Sequence, residues 1–150
     1  MKEFLKTGLV ILVLLIFGAC ESNEIPEQEN IKIEFGSECG WCAGQEFIAV
    51  TNLRIEYTRN IPCGEGKGTR KKEKEISSKE WNEIQSSFDY STFKTLDYNS
   101  CNVCVDGCDE IIKITKNDSI YKIRYSSPNE VEETKDLRQI LNKIMEEMRE

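Results

Sequence analysis

"DEIIKITKNDSIYKIRYSS", Asp109 to Ser127, is the stretch that decides the fold. Ile112 and Ile114 form one β-rich run, and Ile120, Ile123 and Tyr125 form a second. Lys116, Asn117, Asp118 and Ser119 separate them with turn-forming side chains, so the stretch reads as a β-hairpin. A hairpin with one apolar face needs a cover, because two strands alone are marginal in water.

The cover follows in the chain. Pro128 ends the hairpin, and Asn129-x-x-Glu132 is placed to cap a helix. Val131, Leu137, Ile140, Leu141, Ile144, Met145 and Met148 then recur at helical spacing. Charges of both signs fill the opposite face. Such a helix would also suit a partner helix or a membrane surface, but a sheet in the same chain gives it a nearer target.

Upstream, "IKIEF", Ile31 to Phe35, alternates apolar and polar as a strand does. "EFIAVTNLRIEYT" holds two β-rich runs around Thr51 and Asn52, a second hairpin. "PCGEGKGT", Pro62 to Thr69, is a glycine-rich loop, and "RKKEKEI" returns as a polar-faced strand. "SSKEWNEIQSSF" opens with Ser77-x-x-Glu80, a capping box, and sets Trp81, Ile84 and Phe88 on one helical face. "DYSTFKTLDYNS" has no decisive period. The expected fold class is α+β: a small antiparallel sheet of hairpins with two helices packed on it, a short middle one and a longer C-terminal one. No internal repeat has a convincing period, although each half reads Cys-x-x-Cys, hairpin, helix.

Compartment decides how the cysteines are read. Lys2 and Lys6 precede an uninterrupted apolar or small run from Gly8 to Ala19. Twelve residues are too few to cross a bilayer core, which takes about 20 in a helix, but they suit the apolar part of an export signal. The run ends "FGAC", Phe17 to Cys20, which resembles the lipobox of bacterial lipoproteins, departing from it at Phe17, where Leu is usual. The resemblance implies cleavage before Cys20 and acylation of that cysteine. Residues 1–19 are then a signal peptide, and residues 20–30 the acylated cysteine with its tether. "ESNEIPEQEN", Glu21 to Asn30, is too polar to fold by itself and fits a flexible spacer. Residues 31–150 are one domain, which broadly resembles small exported lipoprotein domains without an established activity.

Six cysteines remain: Cys39, Cys42, Cys63, Cys101, Cys104 and Cys108. An even number in a small exported domain reads as a disulfide framework. Two rivals apply to "CGWC". Cys39-x-x-Cys42 with Cys101-x-x-Cys104 has zinc-knuckle spacing, but the stretch between them far exceeds the ~15–20 residues of an ordinary four-cysteine zinc unit. A redox dithiol would place the motif at a helix start after a strand; here "AGQEFIAV" reads as loop then strand. A bond between Cys39 and Cys42 would close a very short loop and constrain the unfolded chain little. Each is therefore expected to reach a separate, distant cysteine, with the full connectivity left open among the 15 pairings that six cysteines allow, and Trp41 to pack against a disulfide; a link from either into the 101–108 cluster would constrain the unfolded chain far more than a bond between the two.

Several function classes fall away. The chain has no histidine, which removes Ser-His-Asp and Cys-His catalysis and His-ligated metals. Removing residues 1–19, with Lys2 and Lys6 against Glu3, takes the net charge from −7 to −8. Arg70, Lys71, Lys72 and Lys74 are interleaved with Glu73 and Glu75, so they read as a solvated face and not a phosphate-binding stripe; no nucleic acid is expected. Asp106, Asp109 and Glu110 are the candidate carboxylates, for acid/base work or a small calcium site, against the simpler reading of a tight turn.

No cofactor and no enzymatic activity are expected. The expectation is a lipoprotein anchored in the bacterial envelope, in the outer membrane, through acyl chains on Cys20. It would act as a binding or accessory module for an envelope protein or glycan. The alternatives are a thiol-disulfide oxidoreductase using Cys39 and Cys42, or a zinc-binding cysteine domain.

Overall fold

The computed structural model describes residues 30–150. The proposed signal and Cys20 lie outside the described residues. The elements are β1 Ile31–Cys39, β2 Gly44–Val50, β3 Arg54–Ile61, β4 Gly68–Glu75, α1 Ser78–Ser86, α2 Tyr90–Phe93, β5 Cys108–Lys116, β6 Ser119–Ser126 and α3 Lys135–Arg149. Short 3-10 turns cover Val103–Val105 and Glu132–Thr134. Among the described residues the six strands form one antiparallel sheet in the order β4-β3-β2-β1-β5-β6, giving a broadly α+β domain. None of these helices is long and apolar enough to cross a membrane.

The Asp109–Ser127 hairpin forms as β5 and β6, turning at Asn117, whose left-handed φ of 52° suits an asparagine. It does not stand alone. β5 pairs along its whole length with β1, so β1 lies between the two hairpins. β1 is also longer than "IKIEF", because its pairing continues through Ser37, Glu38 and Cys39.

Period-2 alternation sends one set of side chains to a single face. Ile33, Phe35, Ile48, Val50, Ile55, Tyr57, Ile112, Ile114, Ile123 and Tyr125 are buried there, and the helices contribute Trp81, Ile84, Phe93, Leu137, Leu141, Met145 and Met148. β4 contributes none: all eight of its residues are exposed. Its Lys and Arg side chains blunt a sheet edge that would otherwise template pairing. The opposite edge, on β6, is covered by Tyr98 to Ser100: Arg124 N donates to Tyr98 O, and Ser100 N to Arg124 O.

Two expectations about helices need correction. The capping box at Ser77 and Glu80 forms, but the middle segment carries a second helix, α2, capped by Asp89, whose carboxylate accepts from Ser91 N and Thr92 N. Asn129 does not cap the last helix. Its N–H bonds Ser126 O in a turn, and α3 begins only after the 3-10 turn Glu132–Thr134, with Thr134 at the cap position.

Candidate functional site

All three disulfides gather at one end of the sheet. Cys39 and Cys108 face each other across β1 and β5, with 4.1 Å between their Cα atoms. Cys42, in the β1–β2 turn, is bonded to Cys63, in the β3–β4 loop. Cys101 is bonded to Cys104. Cys39 and Cys42 thus take different partners, and Cys39 reaches into the 101–108 cluster. The redox and zinc readings of "CGWC" both require thiols at positions that here are bonded elsewhere. Loop entropy alone does not favour the bond inside the second Cys-x-x-Cys. Its cause is local: the 3-10 turn at Val103–Val105 coils the segment and leaves the two Cα atoms 5.4 Å apart. In the chain-entropy picture, separations of 69, 21 and 3 stabilise by about 4, 3 and 2 kcal/mol.

The β1–β2 turn is built to project one side chain. Gly40 lies against the neighbouring loop: a Cβ there would sit 3.0 Å from Asp106 Cα and 3.2 Å from Val103 O. Its N–H donates to Gly107 O at 2.9 Å. Gly44 has a φ of 80°, and a Cβ on it would meet Asn60 O at 2.1 Å. Between them Trp41 takes a left-handed φ of 53° and is 80% exposed. The expectation that it packs against a disulfide is therefore wrong. The turn needs Gly40 flat against the Val103–Asp106 backbone, and that directs the next side chain outward. Val105, on the adjoining loop, is likewise exposed.

Beneath these loops lies a buried ionic network. Asp109 has no exposed surface. It accepts hydrogen bonds from Asn102 N at 3.0 Å, Asn102 Nδ2 at 2.8 Å, Val103 N at 3.4 Å, Ser100 Oγ at 3.2 Å and Arg124 Nε at 2.9 Å. Burial alone would raise its pKa. The donors from Asn102, Val103 and Arg124 outweigh burial and bring it down to about 2. Arg124 Nη2 also reaches Glu38 Oε2 at 3.1 Å.

The three candidate carboxylates do not share a site. Successive residues of a strand point to opposite faces, so Asp109 lies on the open face and Glu110 on the core face. Glu110 accepts from Tyr125 Oη and from Arg138 Nε at 2.5 Å, which ties α3 to the sheet. Burial and the Glu110 carboxylate push the Tyr125 phenol well above its ordinary range. Asp106 is exposed, with a left-handed φ of 64° in the turn. Both buried carboxylates are filled by donors, so the turn reading describes Asp106 and a structural role describes the other two. A matching clamp holds the end of α3, where Arg149 donates twice to Glu46, at 2.8 and 2.6 Å.

A scan against protein-family models found no match, and a search of the curated proteins found none either.

The open face of the sheet also carries a shallow hollow lined by Glu34, Glu38, Phe47, Ile111, Lys113 and Lys122. Its floor is one row across the strands, Phe47, Gly36 and Ile111. Phe47 leans over the bare Gly36, where a Cβ would sit 2.7 Å from its Cδ1. Around the hollow, Glu34 is paired with Lys32 and Lys113. Sequence reasoning passed over Arg124 and Asn102, although a guanidinium in the middle of a strand is itself a sign that a carboxylate lies beside it. The disulfide end thus presents an exposed indole on covalently fixed backbone, above the buried and fully bonded Asp109.

Proposed function

We propose that the chain is an exported lipoprotein, acylated at Cys20 and anchored in the outer membrane, that binds an envelope protein or glycan through its disulfide-pinned loop end. The observation that carries the binding reading is Trp41. A large aromatic left 80% exposed offers apolar surface whose burial by a partner would be favourable. It stands on a turn fixed by Cys39–Cys108 on one side and Cys42–Cys63 on the other, so little ordering entropy remains to be lost on binding. Tryptophan anchors in such settings dominate binding energies. Three disulfides in the described domain support an oxidising compartment, which agrees with the apolar run ending at Cys20. The domain is a binding module and not an enzyme in this reading, with no cofactor and no nucleic-acid partner.

Two measurements test the two halves. Metabolic labelling with a fatty-acid analogue should mark the wild-type chain and not Cys20→Ser; label retained in the variant contradicts the anchor. Affinity isolation from intact cells, compared between wild type and Trp41→Ala, should lose a partner in the variant by tenfold or more. An unchanged partner set contradicts the binding site.

A further inference from the structure

Of the three disulfides, Cys101–Cys104 is the one in which both cysteines are exposed. It closes a separation of 3 residues, against 21 and 69 for the others, so it constrains the unfolded chain least. As a staple it joins little that is not joined already. Cys104 N donates to Cys101 O, and Val105 N and Gly107 N donate to Asn102 O. Asp109 holds Asn102 and Val103 from beneath. As reinforcement it is therefore the weakest of the three. Exposed disulfides are the ones that exchange with outside thiols, whereas well-shielded ones resist.

We infer that Cys101–Cys104 is a thiol–disulfide exchange site that takes two electrons from a dithiol peptide or protein. A thiolate of the dithiol attacks one of the two sulfurs. The Cys101–Cys104 bond breaks, its electron pair passes to the other sulfur, and that sulfur takes a proton. A mixed disulfide now joins the two molecules. The second thiol of the dithiol displaces it, leaving the partner with an internal disulfide and Cys101 and Cys104 as thiols. The partner is oxidised by two electrons and this chain is reduced by two. The turn that carries the cysteines is held by its own amides and by Asp109, so the two thiols stay close enough to re-form the bond by the reverse exchange. The chemistry thereby falls to the second Cys-x-x-Cys, since Cys39 and Cys42 have separate partners.

The test uses the purified domain under graded ratios of reduced to oxidised glutathione, quenched by alkylation and read by peptide mass spectrometry. Cys101 and Cys104 should become labelled at a ratio at least tenfold less reducing than the one that opens Cys39–Cys108 or Cys42–Cys63. In parallel, a synthetic peptide bearing one Cys-x-x-Cys dithiol should be oxidised by the wild-type domain, one peptide per chain, and not by Cys101→Ser/Cys104→Ser. Opening of either other disulfide first, or of all three together, overturns the proposal. So does equal peptide oxidation by the double variant. The glutathione series needs no variant, so it decides the matter even if the double variant fails to fold. Neither arm involves the anchor or Trp41, and failure here leaves the binding reading standing.

Discussion

Glu38 and Asp109 are directly opposed across β1 and β5, two like charges at one position of the sheet. Left alone they would repel each other. Arg124, on β6, resolves this by donating to Asp109 at 2.9 Å and to Glu38 at 3.1 Å. Arg124→Met removes the bridge and leaves Asp109 buried beside a second carboxylate. Equilibrium urea unfolding should register a loss of about 3 kcal/mol, in the range for breaking a buried pair. A loss within about 0.5 kcal/mol, the range of ordinary surface changes, would contradict the network's structural role.

Acid should act through the same carboxylate. The folded pKa of Asp109, about 2, lies below its ordinary value of 3.8. The stabilisation is therefore complete above that ordinary value and is lost as pH falls towards the folded one. The shift corresponds to roughly 2 kcal/mol. Glu46 and Glu34 are depressed too, burial in each being outweighed by Arg149 and Tyr57 or by Lys113 and Lys32, so they add to the acid loss. Asp109→Asn isolates the single contribution: its unfolding midpoint should depend on pH between 3.8 and about 2 less steeply than wild type. Parallel curves would show that Asp109 does not carry it.

Gly36 is required by its neighbours. A Cβ there would sit 2.0 Å from Glu46 O and 2.7 Å from Phe47 Cα, both backbone atoms that cannot swing aside. Gly36→Ala should lose about 2 kcal/mol or more in thermal or urea unfolding, from forced separation of β1 and β2. An alanine variant as stable as wild type would mean that this part of the sheet is spaced differently.

The disulfides should rank by the chain they enclose. Paired Cys→Ser changes at Cys39 and Cys108 should cost about 4 kcal/mol, and the pair at Cys101 and Cys104 about 2 kcal/mol or less. Denaturant midpoints of the two double variants give the order directly, and a reversed order would contradict it.

Much of the sheet was legible because its signals are local. Ile112 and Ile114 against Ile123 and Tyr125, with Asn117 between, carry their own period and turn. The apolar stripe of α3 and the charged edge strand β4 are equally local. What was not legible depends on residues far apart in sequence. Nothing in "IKIEF" says that β5 will pair with it, and that pairing sets the sheet order and brings Cys39 to Cys108. The roles of Asp109 and Glu110 follow from the same register, which sends one to Arg124 and the other to Arg138. Trp41 was misjudged because its direction depends on Gly40 meeting a loop more than sixty positions away.

The central claim is that the disulfide-pinned end of the sheet is where this molecule meets its partner. Leu53 provides the control, since it is 72% exposed on the turn at the opposite end. A photo-reactive amino acid placed at position 41 or at position 53 of the full chain, irradiated in intact cells, compares the two ends under one condition. The account predicts a discrete adduct from position 41 and none from position 53. Adducts of equal yield from both positions, or from position 53 alone, would contradict it.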